Sequence, residues 1–460
     1  MSLMIAGERS GVGKTTVTLA LLAALRQRQE IVQSFKVGPD YIDPMFHQRV
    51  TGRACRNLDP VLTSENYVQQ CFEQHSQTAS YALIEGVMGL FDGASGVDDV
   101  ASTAHVARLL NVPVLLVLNC SSLARSVAAV AHGYRSFDPR IRIAGVVLNR
   151  VGSDRHLELL QAALEPLDLP ILGVLRRQAE ITIPDRHLGL IPTGELTQFS
   201  SLVDRFAHVG ETCFDWGQLL PLLACERSQK SGFAIPATDG AVPSIPPASA
   251  PARIAIAHDA AFNFYYADNL EWFEQFADVV YWSPLEDAAL PEGIQGLYFG
   301  GGFPEVFAAQ LADNQSARCS VQMAIQSGIP TYAECGGLMY LCEQIVDFVE
   351  RTYPMVGIFP TAAKMTKKLT LGYRQATALC ASPLINIGEQ IWGHEFHRSI
   401  LTHEPKAPIF RLQGYHSSIP MKPEGWQRYQ VHASYTHIHF GAQLKYLRRF
   451  INLCSFYRKI

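Results

Sequence analysis

Residues able to do chemistry are gathered into a few stretches of this sequence. The first runs Gly7-Glu8-Arg9-Ser10-Gly11-Val12-Gly13-Lys14-Thr15-Thr16, between a short apolar run, Leu3-Met4-Ile5, and a helical pattern beginning at Val17. A glycine-rich loop in that setting turns its backbone N–H groups around phosphate oxygens, with the positive end of the helix behind them. Lys14 adds a cation, and the Thr15 hydroxyl is a ligand for Mg²⁺. Gly7, Arg9, Ser10, Gly11, Gly13 and Thr16 complete the predicted ATP-binding loop. Its leading glycine stands one residue further from Gly13-Lys14 than the usual spacing requires.

A second cluster, Lys36-Val37-Gly38-Pro39-Asp40-Tyr41-Ile42-Asp43-Pro44, with His47 just beyond, follows an apolar run, and a third runs from Glu85 to Gly93. Mg²⁺ takes a few hard oxygens in addition to phosphate, so Asp40 and Glu85 are the predicted carboxylate ligands beside Thr15. Lys36, Tyr41, Asp43 and Asp92 are the candidates to hold substrate or take a proton; Asp92, in Phe-Asp-Gly, also reads as a turn cap. Asn149 ends an apolar run at a place similar to that where related ATPases read the adenine, which makes it a candidate contact to the nucleotide base. Arg186 and His187 are candidates to face an anionic substrate, with a structural role as the alternative.

The last cluster is Ala333-Glu334-Cys335-Gly336-Gly337-Leu338. An apolar strand, a tight turn carrying cysteine and a helix make a nucleophile elbow, in which the helix N-terminus favours the thiolate and the next N–H faces an oxyanion. A free thiol titrates near ~8.5, so a histidine must take its proton. His394, His397, His432, His437 and His439 are the possible bases, and the residues by themselves leave that choice open. Upstream, Gly300-Gly301-Gly302 can present a second N–H, and Gly302 and Gly336 are the oxyanion candidates.

These residues need elements that hold them. Near-continuous apolar runs at Ile31–Val37, Tyr81–Ile84, Val112–Leu118, Ile141–Leu148 and Leu169–Leu175, separated by helical patterns, predict a doubly wound parallel sheet in residues 1–227. Residues 228–252, rich in Pro, Ser and Ala, read as a linker. A second α/β domain is expected over 253–446, with strands at Arg253–Ala257, Val279–Trp282, Gly296–Phe299 and Pro330–Ala333. Its later runs, Leu371–Ala378, Gln390–His397 and Gln430–Phe440, alternate apolar and polar residues and predict antiparallel or edge strands. Residues 447–460 read as a basic tail forming a surface helix.

The bulk properties narrow the class. A chain of 460 residues needs more than one core. Its net charge of -4 offers no reason to propose nucleic acid as a partner. Ten cysteines include no Cys-x-x-Cys pair, which argues for reduced thiols and a cytoplasmic location. No apolar run is long enough to span a bilayer, and no signal peptide precedes the phosphate loop.

Taken together, Lys36–Pro44, Glu85–Gly93, Arg186-His-Leu-Gly-Leu190, Glu334-Cys-Gly-Gly337, Gly393-His-Glu-Phe-His397 and Ser434-Tyr-Thr-His437 resemble the motifs of the cobyrinic acid a,c-diamide synthase family. The resemblance covers both domains. It implies a dethiobiotin-synthetase-like P-loop domain joined to a class I glutamine amidotransferase domain of the CobB/CobQ type. It also makes Cys335 the nucleophile and His437, in Tyr-x-His, its base; the acid that completes a triad elsewhere is commonly lacking, so none is assigned. Arg9 stands where the related MinD-like ATPases carry an extra lysine. Asn119 departs from the aspartate expected at the end of its strand.

The implied reaction is the ATP- and Mg²⁺-dependent amidation of two acetate side chains of cobyrinic acid, through acyl phosphates, in cobalamin synthesis. L-Glutamine supplies the ammonia, and an internal path to the first domain would protect it. Neither nucleic acid nor membrane is implied as a partner, and a homodimer is left open. The alternatives are cobyric acid synthase, which lacks the Lys36–Pro44 pattern, a nickel-sirohydrochlorin a,c-diamide synthase, a glutaminase-deficient enzyme using free ammonia and, from another class, a MinD-like ATPase switch.

Overall fold

The protein was analysed as a computed structural model, which describes residues 2–177, 185–187, 189–195, 198–225, 251–415 and 421–457. The chain forms two compact units, Met1–Pro236 and Ala237–Ile460. The division falls inside the predicted linker, residues 228–250 of which lie outside the described residues, as do the last three of the chain.

The first unit is built on a seven-stranded sheet: β1 (Leu3–Gly7), β2 (Val32–Val37), β3 (Arg56–Leu58), β4 (Tyr81–Glu85), β5 (Val114–Asn119), β6 (Ile143–Val151) and β7 (Ile171–Arg176). They lie in the order β3-β2-β4-β1-β5-β6-β7, all parallel. Five strands coincide with the predicted apolar runs within a few residues. Edge strand β3, Arg-Asn-Leu, is too short and polar to announce itself in sequence. Helix α1 (Lys14–Gln27) follows β1 and is buried from Val17 to Leu25. It is apolar on most sides because helix Phe199–Thr212 covers it: a Cβ on Gly210 would lie 2.2 Å from the Ala20 carbonyl oxygen. Helix α2 (Ile42–Thr51) follows β2.

The second unit has a six-stranded sheet in which Asp278–Trp282, Arg253–Ala257, Gly296–Phe299, Thr331–Glu334 and Val431–Ser434 run parallel and Trp426–Arg428 closes the edge antiparallel. Leu297, Phe299 and Ala333 point to one core, while Tyr298, Tyr332 and Phe450 belong to the other, as the two-residue repeat of a strand requires. A second sheet is dominated by the long antiparallel pair Phe359–Ala378 and Gln390–Leu401.

Two expectations are corrected here. Val431–Ser434 is an interior parallel strand, because its buried register against Thr331–Glu334 outweighs the alternation of the residues after it. The supposed basic surface tail is helix Leu444–Phe456, whose Tyr446, Leu447, Phe450, Ile451 and Cys454 are buried in the second unit's core. Its basic residues decorate the other face of an amphipathic helix. No disulfide joins any of the ten cysteines, and among the described residues no helix is long and apolar enough to cross a membrane.

Candidate active site

In the first unit, β1, β2 and β4 end side by side: Lys36 is paired with Glu85, and Glu85 with Ile5. Their carboxyl ends therefore meet where the glycine-rich loop leads into α1, the position at which doubly wound sheets bind ligands. Gly13 caps α1 at φ 99°, and a Cβ there would lie 2.3 Å from Asn149 Nδ2, so glycine is required on two counts. The amides of Lys14, Thr15 and Thr16 open the helix without intrahelical acceptors.

The Thr15 hydroxyl lies 2.6 Å from Glu85 Oε1 and 3.3 Å from Asp43 Oδ2. The Lys36 ammonium donates to Asp43 at 2.6 Å and to Glu85 at 2.9 Å, and reaches Asp40 only at 3.8 Å. Behind Glu85, His47 Nε2 approaches its second oxygen at 2.7 Å, and Cys55 Sγ lies 3.3 Å from His47 Nδ1. Glu85, Lys36 and His47 are all buried. Burial works against each charge, but Lys36 and His47 hold the Glu85 carboxyl well below its usual range. Burial opposes charge on His47 too, yet the Cys55 sulfur and then Glu85 raise it to about 10. For Asp43, burial and the Asp40 charge outweigh Lys36 and raise the carboxyl to about 7. Burial and then Lys36 lower the Lys14 ammonium to about 8.

Several predicted roles change place. Asp40 turns Oδ1 to the N–H groups of Ile42 and Asp43, at 2.9 and 3.1 Å, and so caps the start of α2. Asp43 faces Thr15 in its stead. Lys36, a substrate candidate, is an interior cation with its ammonium committed to carboxylates. Tyr41 is also buried. Asn149, the candidate base contact, donates Nδ2 to the Val12 carbonyl at 2.7 Å and accepts from Arg150 N at Oδ1, which ties the phosphate loop to the end of β6. Asp92 is exposed and its Oδ2 accepts from Gly89 N at 2.9 Å, the turn-capping alternative. Arg9 projects outward beside Glu8, while its carbonyl accepts from Lys14. Ser10 and Gly11 are exposed in the loop. His187 is partly buried, and the side chain of Arg186 lies outside the described residues. Asn119 is buried and its Oδ1 accepts from Ser121 N.

In the second unit, Cys335 sits between strand Thr331–Glu334 and helix Gly336–Leu341 with φ 44° and ψ -96°. A non-glycine residue held there stores roughly 1–3 kcal/mol of strain. Its N–H is anchored on the Ser434 carbonyl at 2.7 Å. The glycines locate the rest. A Cβ on Gly336 would lie 3.1 Å from Gly302 N, and one on Gly301 would lie 2.4 Å from His437 Cε1 and 3.2 Å from Nε2. The imidazole therefore leans on the loop that carries one oxyanion candidate, next to the turn that carries the other. Burial, with Glu305 and Glu334 behind it, pushes the Cys335 thiol well above its ordinary value, so a base must remove its proton.

The His437 backbone is locked from three directions. It exchanges two 2.9 Å hydrogen bonds with His394. Ile438 N donates to Glu334 at 2.9 Å, and Tyr435 N donates to Glu424 at 2.8 Å. Gly393 is needed there, since a Cβ would sit 2.1 Å from Thr436 Cγ2. The rival histidines are placed otherwise. His432 is buried against the Ser382 hydroxyl at 2.8 Å, His439 lies 3.3 Å from Asp268, and His397 stacks on Tyr435 with ring centroids 3.9 Å apart. Burial and neighbouring positive charge lower His394 to about 3, so it is neutral. Sequence reasoning did not assign Glu334, Glu424 or His47 a role. For Glu334 the signal was its position, a carboxylate beside a nucleophile on a buried strand.

Comparison with known proteins follows the same division. A family model described as the CobQ/CobB/MinD/ParA nucleotide binding domain matches residues 3–191, and one described as a CobB/CobQ-like glutamine amidotransferase domain matches 253–444. A protein of Synechococcus sp. named cobyrinate a,c-diamide synthase is 62% identical over 99% of this chain and 98% of its own. One of the same name from Synechocystis sp. is 51% identical over 100% of this chain and 94% of its own. A Streptomyces coelicolor protein named hydrogenobyrinate a,c-diamide synthase is 44% identical over 98% of this chain and 97% of its own.

Proposed function

The chain belongs to the cobyrinate a,c-diamide synthase family, and from that premise we propose how its residues divide the work of a glutamine-hydrolysing, ATP-dependent ligase. The observation that carries the reading is the strained Cys335 turn with His437 fixed over the Gly301-Gly302 loop, in a chain whose other unit holds the phosphate loop. His437 takes the Cys335 proton, and the thiolate attacks the glutamine amide carbon. The oxyanion is met by the N–H groups of Gly336 and Gly302. Collapse releases ammonia with the proton from His437, and water then hydrolyses the thioester to glutamate.

In the first unit the α1 amides and Lys14 hold ATP phosphates. A substrate carboxylate oxygen attacks the γ-phosphorus, ADP leaves, ammonia attacks the acyl phosphate carbon and phosphate departs. Activation is necessary because a carboxylate has only oxide to expel. The hydroxyl of Thr15 and the carboxylates of Glu85 and Asp43 converge as hard oxygen donors, a set that fits Mg²⁺, so these three would hold it. When bound with ATP it supplies charge neutralisation at the phosphates. Lys36 and His47 keep Glu85 ionised and aimed. The substrate class is a corrinoid with free acetate side chains, cobyrinic acid, amidated at a and c. We place the reaction in the cytosol, where Cys335 stays reduced.

The test is amidation of cobyrinic acid with ATP, followed by mass spectrometry, with glutamine or ammonium chloride as nitrogen source. Wild type makes diamide from both, and Cys335→Ala only from ammonium. Glutamine hydrolysis with no change in cobyrinic acid would leave the ligase class standing and overturn the substrate. A parallel arm with the cobalt-free acid, prompted by the Streptomyces relative, separates the two corrinoids.

A further inference from the structure

We propose that Glu334, the residue immediately before the nucleophile, is the positioning residue for His437 and supplies the orienting acid missing after it. The stretch His437-Ile438-His439 carries no carboxylate beside the histidine. Glu334 ends strand Thr331–Glu334 and is buried, with Oε2 3.6 Å from His437 Nδ1. That is an ion-pair contact which a small tightening on substrate binding turns into a hydrogen bond.

The surroundings of Glu334 are built for an anion. The Tyr298 hydroxyl donates to Oε2 at 3.1 Å, the Tyr332 hydroxyl donates to Oε1, and Ile438 N donates to Oε1 at 2.9 Å. Tyr298 and Tyr332 stack with centroids 5.0 Å apart, so both donors are rigid. Burial and then the Glu334 charge hold both phenols far above their ordinary range, which keeps them protonated and donating. A carboxylate at Nδ1 fixes the tautomer in which Nε2 carries the lone pair that takes a proton, and Nε2 is on the side facing Gly301. One strand thus delivers the nucleophile and its base's orienter as consecutive residues. Also packed about His437 is neutral His394, on strand Gln390–Leu401, which exchanges backbone hydrogen bonds with it; His439, on the same segment, faces Asp268.

This rests on Cys335 and His437 being the glutaminase pair. The experiment follows glutamate release by the full chain against pH, for wild type, Glu334→Gln and Tyr298→Phe, with a thermal melt to check each fold. For Glu334→Gln, kcat should fall about 100-fold, the scale of a mispositioned general base, with KM for glutamine little changed. The acid limb of kcat/KM should move to lower pH, because the charge that favours imidazolium is gone. Tyr298→Phe frees Oε2 from a competing donor and should move the limb to higher pH. A folded Glu334→Gln with near-wild-type kcat and an unmoved limb overturns the proposal. If that variant does not fold, an unmoved limb in Tyr298→Phe overturns it. Wild type without Cys335-dependent glutamine hydrolysis would instead overturn the functional reading beneath it.

Discussion

At the scale of single residues, both sites are controlled by buried charge and the partners that compensate it. Lys36 is the clearest case, since three carboxylates from α2, its approach and β4 depend on one ammonium. Lys36→Met should therefore cost about 3–5 kcal/mol in urea unfolding, because it leaves buried anions uncompensated. Glu424 makes the opposite case. Burial raises it from 4.5 to about 7 while Ser434 Oγ, at 2.6 Å, and Tyr435 N keep it in place. Between those values the folded state holds a proton that the unfolded state has lost, so its contribution is full below pH 4.5 and is lost as pH rises through about 7. Glu424→Gln can keep both contacts without a charge. Stabilities of variant and wild type should run parallel below pH 4.5, diverge between 4.5 and about 7 as wild type loses stability, and stay apart by a constant amount above that.

At the scale of elements, the sites depend on where strands stop. Strand Thr331–Glu334 ends at Cys335, and its parallel neighbour Val431–Ser434 ends level with it, so the segment carrying His437 leaves the sheet at the level of Cys335. The sheet is held from its other side by helix Leu444–Phe456. Phe450→Ala should lower stability by about 3–5 kcal/mol, the usual cost of emptying a buried aromatic position. It should also lower glutaminase activity at temperatures where ammonium-driven amidation persists. Equal loss of both activities at every temperature would contradict this placement of the helix. The swap of Asp40 and Asp43 is likewise an effect of element boundaries. An aspartate just ahead of a helix is drawn to its unsatisfied N–H groups, and Asp43, inside the first turn of α2, is left to face Thr15.

At the scale of the whole molecule, the chain folds as two compact units, and the proposed function gives each one half-reaction. They should separate by point mutation in the intact chain. Lys14→Ala should abolish amidation from either nitrogen source, read by mass spectrometry, and leave glutamine hydrolysis measurable; Cys335→Ala should do the reverse. Loss of both activities in either variant would mean that the halves are obligately coupled. The glycine-rich loop, the cysteine turn and the apolar strands were all legible in the sequence. Each is local: a glycine at a fixed offset or a run of Val, Ile and Leu carries its own physics. Tertiary structure alone decided that Asn149 secures the phosphate loop, that Lys36 lies among carboxylates, that the last helix is core and that Glu334 faces His437. Those facts depend on side-chain direction and on strand neighbours far apart in sequence, which pairing and burial establish only once the sheets are assembled.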